Sequence, residues 1–387
     1  MNQKQFDLDV VNLIRQNGYK IIGNIRNELL IDWWNCQANN RCIEQSAHVW
    51  LDNYFAECDL TKSFKEKLIV VYDEMLPHEI LINLHSWFKK QSCNLNNIIV
   101  VVTTTMGAKF WFFQYTTLIG ENSFQLIDAP WLSQMFTSRF ASIPKMNQST
   151  INKTLKFYFS FYGGTGSNLE KDFITSNVLT KSNLGCIDYL SGWHKASTQA
   201  DFENYAEATT NFLHEDLIKK LIVIRNTVKF DTSHISANAP IKNENFDFQG
   251  FQFDIDSICF AQVIRESTSR AGFCCISEKT LRPFLHGQVP LPIGLNSIDH
   301  LKNLGFNLQF DIIDYDYQSH PVFFNRILGL LDQIDKLSTY KFSYLEDYIL
   351  DNSEIFLYNF EYVRSGDIFK NIKKQFINDL NYEKNIS

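Results

Sequence analysis

Residues 274–294 read Cys274-Cys275-Ile276-Ser277-Glu278-Lys279-Thr280-Leu281-Arg282-Pro283-Phe284-Leu285-His286-Gly287-Gln288-Val289-Pro290-Leu291-Pro292-Ile293-Gly294. The apolar run 273–276 has the length of a buried strand. Ser277 offers a hydroxyl where a helix can start, and Glu278 adds negative charge to its first turn. Leu281, Phe284 and Leu285 fall at i, i+3 and i+4, on one face of a short helix. Gly287 stands where that helix stops, and residues 289–293 read as a second apolar strand. Strand, helix and strand in this order predict a βαβ unit, which holds ligands at the carboxyl ends of its strands. Glu278, Lys279 and Arg282 belong to that neighbourhood. One carboxylate and two cations suit a sugar hydroxyl and a phosphate.

Upstream, residues 258–264 form a strand pattern that runs into the polar cluster Arg265-Glu266-Ser267-Thr268. Earlier still, the strand pattern 155–161 leads into Tyr162-Gly163-Gly164-Thr165-Gly166-Ser167-Asn168, with a helical pattern over 171–181. A glycine-rich loop between strand and helix lets backbone N–H groups approach a phosphate. No Gly-Lys-Ser/Thr closes this one and it does not spell G-x-G-x-x-G, so alone it reads more often as a surface turn. A further strand is expected at 185–190. Mostly helical chain then fills 193–239, and an exposed loop 240–250.

The first half carries its own alternation. Strand 67–72 runs into Asp73-Glu74, helix 77–90 follows, and strand 97–103 comes next. The loop 103–107, rich in hydroxyls and ending in glycine, suits a ligand. An aromatic-rich region spans 109–136, with a strand near 123–127 that ends at Asp128. Apolar runs alternating with helices predict a parallel sheet. Residues 1–66 read as mainly helical, 148–153 as a linker, and 301–304, 322–334 and 342–376 as helices. The expected fold is α/β, with domains at 1–150 and 151–340 and a helical segment 341–387 packing back on the first.

At 387 residues the chain exceeds what one core usually supports. With 45% hydrophobic and 20% charged residues it is an ordinary globular composition. A net charge of −7 and the lack of a dense basic block argue against nucleic acid as the main ligand. None of the eight cysteines forms a C-x-x-C pair, so structural zinc is not expected and reduced buried thiols are. The N-terminus lacks the apolar core of a secretory signal, and no apolar run reaches the roughly 20 residues that span a bilayer. The expectation is a cytoplasmic protein.

Ser277-Glu278-Lys279-Thr280, then a helix, Gly287, Val289-Pro290 and an apolar strand ending at Gly294, resembles the donor-site segment of the α-1,3-fucosyltransferases. The likeness is closer to their viral and bacterial fucosyltransferase-like branch, which carries a similar Ser/Thr-Glu-Lys-Thr and a later Leu-Gly-Phe, here Leu304-Gly305-Phe306. In that family a Phe-Glu-Asn-type segment comes before it, at the place of residues 260–266 here. The resemblance covers residues 251–331, and the first half matches only in general layout. It implies two Rossmann-like domains facing across a cleft, the first for acceptor and the second for donor. The donor it implies is a nucleotide-sugar, GDP-fucose, and the acceptor a glycan, with inverting chemistry and no required cofactor.

Under that resemblance Lys279, with Arg282 one turn on, stabilises the charge that builds on the leaving diphosphate. Composition alone would make both part of a solvated helix face. Glu278 accepts from ribose or sugar hydroxyls, and Glu266 makes a second sugar contact; otherwise they are a helix-end charge and an ion-pair partner. Ser277, Gly163, Gly164 and Lys171 complete the donor set, Lys171 standing where those enzymes carry arginine. Inverting transfer also needs a base for the acceptor hydroxyl. Asp73 and Glu74 at a strand end come first, and Asp128 next. His286 and His300 read as structural. Two further readings remain. Asp254-Ile255-Asp256 and Asp314-Tyr315-Asp316 both spell the D-x-D of metal-dependent glycosyltransferases, where paired carboxylates hold a divalent ion. The chain also fits a catalytically silent carbohydrate- or protein-binding relative.

Overall fold

The computed structural model describes residues 12–25, 51–52, 55, 68–72, 78–102, 105–130, 145–147, 151–162, 186–188, 259–264, 274–276 and 278–386. The chain divides into two compact units: Met1–Phe140 with Arg270–Glu278 and Gly366–Ser387, and Ala141–Ser269 with Lys279–Ser365. The fold is mixed α/β, built on small parallel sheets.

The first unit holds strands β1 (Lys20–Ile25), β2 (Leu68–Tyr72), β3 (Ile98–Val102) and β5 (Gln125–Asp128), parallel throughout and adjacent in that order. Helix α1 (His78–Lys90) connects β2 to β3, and α2 (Ala108–Leu118) precedes β5. Right-handed crossovers that advance in one direction put both helices on one face. Leu81, Leu84, Trp87 and Phe88 of α1 and Ala108 and Phe112 of α2 share a core with Ile98, Val100, Val102 and Leu126. Each of the Leu, Ile, Val and Phe side chains contributes about 1.5–3 kcal/mol when fully buried. Ile99, Val101 and Ile127 alternate to the other face and are buried too, as in a sheet covered on both sides. The last helix, α8 (Asp367–Ile386), packs against β5, and the Tyr19 hydroxyl donates to the Leu380 carbonyl at 2.6 Å.

Strand β1 departs from the expectation of a helical start. Lys20-Ile21-Ile22-Gly23-Asn24-Ile25 is too short and too interrupted to show a period of two, and its register slips between Ile21 and Gly23. Helix α2 was hidden for a different reason: aromatics on all its sides blur the helical period.

The second unit is built on β6 (Phe157–Tyr162), β7 (Cys186–Asp188), β8 (Cys259–Ile264) and β10 (Val289–Pro292), again all parallel, in the order β10-β8-β6-β7. The run Cys274–Cys275 does not join it. As β9 it pairs antiparallel with β4 (Thr105–Met106) in a separate two-stranded sheet, so it is not the first strand of the expected βαβ unit. That strand is β8, and α3 (Glu278–Leu285) lies between β8 and β10. A two-residue apolar run satisfies one antiparallel pairing, whereas the buried six residues of β8 suit a sheet interior.

Helix α3 ends as its sequence demands. Gly287 takes a φ of +59°, Gln288 N–H donates to the Pro283 carbonyl at 2.8 Å, and Gly287 N–H to that of Phe284 at 3.4 Å. Among the described strands β10 is at one end of the order, and its Val-Pro-Leu-Pro sequence removes donors at Pro290 and Pro292. Their carbonyls accept from the Tyr315 hydroxyl at 3.0 Å and the Tyr317 hydroxyl at 2.9 Å, with Gln318 Nε2 adding 3.0 Å to Pro292. Helices α4 (Ser297–Asn303), α5 (Phe323–Ser338), α6 (Phe342–Asp351) and α7 (Ser353–Arg364) complete the unit.

The segment expected as a linker proves structural at its end. Ile151 is buried, and Lys153 Nζ donates to the carbonyls of Cys259 at 3.1 Å, His286 at 3.1 Å and Gly287 at 2.9 Å. Among the described residues no helix is long and apolar enough to cross a membrane.

Candidate functional site

In the second sheet the strand order reverses between β6 and β8. Loops leaving such neighbours diverge, and the crevice outside their carboxyl ends is where open α/β sheets hold nucleotides. The two strands end at Tyr162 and Ile264. Gly163 and Gly164 directly follow the first in sequence, and Arg265 and Glu266 the second. Those residues, with Lys171 and Ser277, lie outside the described residues, as do Asp73, Glu74 and the Asp254-Ile255-Asp256 motif.

Glu278 and Lys279 open helix α3, the first two positions of its eight residues. Arg282, in the same helix, is only 3% exposed, and its charge acts on His286. Burial, then Arg282, then Lys153 hold the His286 imidazole well below its usual range. His300 is also lowered, by burial against a smaller opposing effect of Asp299. In the other D-x-D, the Asp314 carboxylate accepts from the Asp316 N–H at 2.9 Å. No group of three metal-ligating side chains occurs among the described residues.

In the first unit, Asp128 closes β5 at the carboxyl edge of the sheet. The ladder continues past it, Ala129 N–H donating to the Val102 carbonyl at 2.7 Å, which fixes the strand end. Gly107, with a φ of +86°, turns the chain from β4 into α2. That turn aims N–H groups at Asp128: Oδ2 accepts from Gly107 at 2.9 Å and from Lys109 at 3.2 Å. Oδ1 is closed to solvent and accepts no hydrogen bond among the described residues. Burial dominates and raises the carboxyl to about 7, against the opposing pull of the Lys109 and Gly107 N–H groups and the Lys109 charge.

Gly107 and Lys109 did not stand out as Asp128 partners, because their contribution is main-chain N–H. The only signal was the glycine that ends the 103–107 loop. Comparison of the chain with protein families, curated proteins and solved structures finds no match.

Proposed function

We propose that the chain is an inverting glycosyltransferase of two Rossmann-like domains facing across a cleft, the first binding acceptor and the second a nucleotide-sugar. The observation that supports it is the reversal of strand order between β6 and β8, whose ends lead into Gly163-Gly164 and Arg265-Glu266. The sugar suggested by resemblance is fucose carried by GDP, and the acceptor a glycan hydroxyl. Lys279, early in α3, supplies fixed positive charge for the departing diphosphate, aided by the helix N-terminus. Arg282, one turn further along α3, adds a second cation to that grip. Metal is not required in this scheme.

The test is a transfer assay with GDP-fucose and other nucleotide-sugars on wild type and on Lys279→Ala. The expected result is turnover that persists in EDTA and falls at least 100-fold in the variant while its fold is retained. Turnover abolished by EDTA would support a D-x-D metal site instead, and unchanged turnover in the variant would remove Lys279 from the site.

A further inference from the structure

Two short strands stand outside both parallel sheets. β4 (Thr105–Met106) and β9 (Cys274–Cys275) pair antiparallel, Thr105 opposite Cys275 and Met106 opposite Cys274. Neither four-stranded sheet includes them in its own order. So short a ladder is marginal by itself, and joining segments this far apart in sequence adds closure entropy. Its consequence lies in what each strand is tied to. β4 is pinned on both sides. Before it, the Val102 carbonyl at the end of β3 accepts from Ala129 N–H at 2.7 Å. After it, the Gly107 and Lys109 N–H groups donate to Asp128 Oδ2 at 2.9 Å and 3.2 Å. β9 is anchored by Cys274, 3% exposed, and by the buried Ile276. Beyond Ile276 only Ser277 precedes Glu278, the first residue of α3. The segment Arg270–Glu278 belongs with the first unit, and Lys279 opens a segment of the second. Three steps along the chain, from Cys275 to Glu278, span at most about 11 Å. The ladder is a short leash on the first turn of α3.

We propose that Thr105 and Met106 are positioning residues for the diphosphate grip, an assignment that rests on the transferase reading above. Through main-chain pairing with Cys274 and Cys275 they set where α3 starts, and so where Lys279 meets the phosphates of the nucleotide. A cation that stabilises a diphosphate acts best when it is held in place beforehand, because a loose one loses binding energy to its own ordering. Lys279 is the second residue of an eight-residue helix, and helix ends fray. An anchor just ahead of that turn suppresses the fraying. The coupling is reciprocal: a nucleotide that favours the ordered start of α3 also favours the paired state of β4 and β9.

The test is calorimetry of the full chain with GDP and UDP, each variant checked for its fold by urea unfolding. Thr105→Pro with Met106→Pro removes both N–H groups of β4, one of which an antiparallel ladder uses. Thr105→Ala with Met106→Ala keeps both. The expected result is that the proline pair weakens nucleotide binding at least tenfold and the alanine pair far less. Added to Lys279→Ala, the proline pair should cost no further affinity, since residues that act through Lys279 then have nothing to act on. A merely structural role would weaken both backgrounds equally. A folded proline pair with wild-type affinity, an alanine pair as weak as the proline pair, or equal losses with and without Lys279 each overturn the assignment and leave the transferase reading intact. If the proline pair does not fold, hydrogen exchange of the wild type decides. Saturating nucleotide should slow the amides of β4 and β9 that the ladder protects at least tenfold, and unchanged exchange overturns the assignment. A wild-type chain that binds neither GDP nor UDP removes the transferase reading, and this assignment with it.

Discussion

Gly107 donates its backbone N–H to Oδ2 of Asp128 at 2.9 Å, from a φ of +86° that a β-carbon would strain. The strand end and the helix start are thereby tied through an acid that burial raises to about 7. In the unfolded chain the same group titrates near 4. Between those values the folded chain holds a proton that the unfolded chain has lost, so Asp128 stabilises most below about pH 4 and its contribution fades as pH rises through 7. The full swing is at most about 4 kcal/mol. Asp128→Asn should remove it: relative to wild type, the variant gains stability between about pH 4 and about pH 8, in urea midpoints at both ends. A difference between the two proteins that does not change with pH would contradict the buried-acid geometry.

His286 works in the opposite sense. Its folded pKa is depressed, so its contribution is present above about pH 6.5 and is lost as pH falls. The expected slope is about 1.4 kcal/mol per pH unit once the unfolded imidazole charges. His286→Leu should flatten that slope in the same urea series.

Lys153 binds three carbonyls around this histidine, and Lys153→Met should cost about 3 kcal/mol. It should also bring the His286 pKa back toward its usual value, because the Lys153 charge is among the causes that lower it. Chemical denaturation and imidazole NMR titration read the two effects separately.

Gly329 lies inside α5, where alanine would ordinarily gain up to about 1 kcal/mol. A β-carbon there would stand 2.3 Å from Tyr317 Cβ. Relief moves Tyr317, whose hydroxyl closes the β10 edge at Pro292. Gly329→Ala should therefore destabilise by about 1–3 kcal/mol. Gly120→Ala meets open space at a φ of +66° and should cost only backbone strain, about 1–2 kcal/mol. A Gly329→Ala variant as stable as wild type, or more stable, would contradict the close approach of Tyr317.

Much of the sheet framework was legible because buried parallel strands are runs of apolar residues: Ile98–Val102 and Cys259–Ile264 can hardly be read otherwise. Gly287 announced the end of α3 because only a left-handed residue closes that turn without strain. Pairing was not legible. Cys274–Cys275 looks as apolar as β8 does, and nothing local reveals that its partner is Thr105–Met106, far earlier in the chain. Asp128 was recognisable as a strand-end carboxylate, but its two amide donors and its closed oxygen depend on a turn made around Gly107. Lys153 gave no signal, since three carbonyl acceptors leave no trace in side-chain types.

If the second unit holds a nucleotide-sugar through its diphosphate, with Lys279 as the key cation, the nucleotide alone should bind. Isothermal titration calorimetry of the full chain against GDP and UDP tests it most directly. Binding in the micromolar range, weakened at least tenfold by Lys279→Ala with the fold retained, is the expected result. No heat of binding to either nucleotide at millimolar concentration would contradict it.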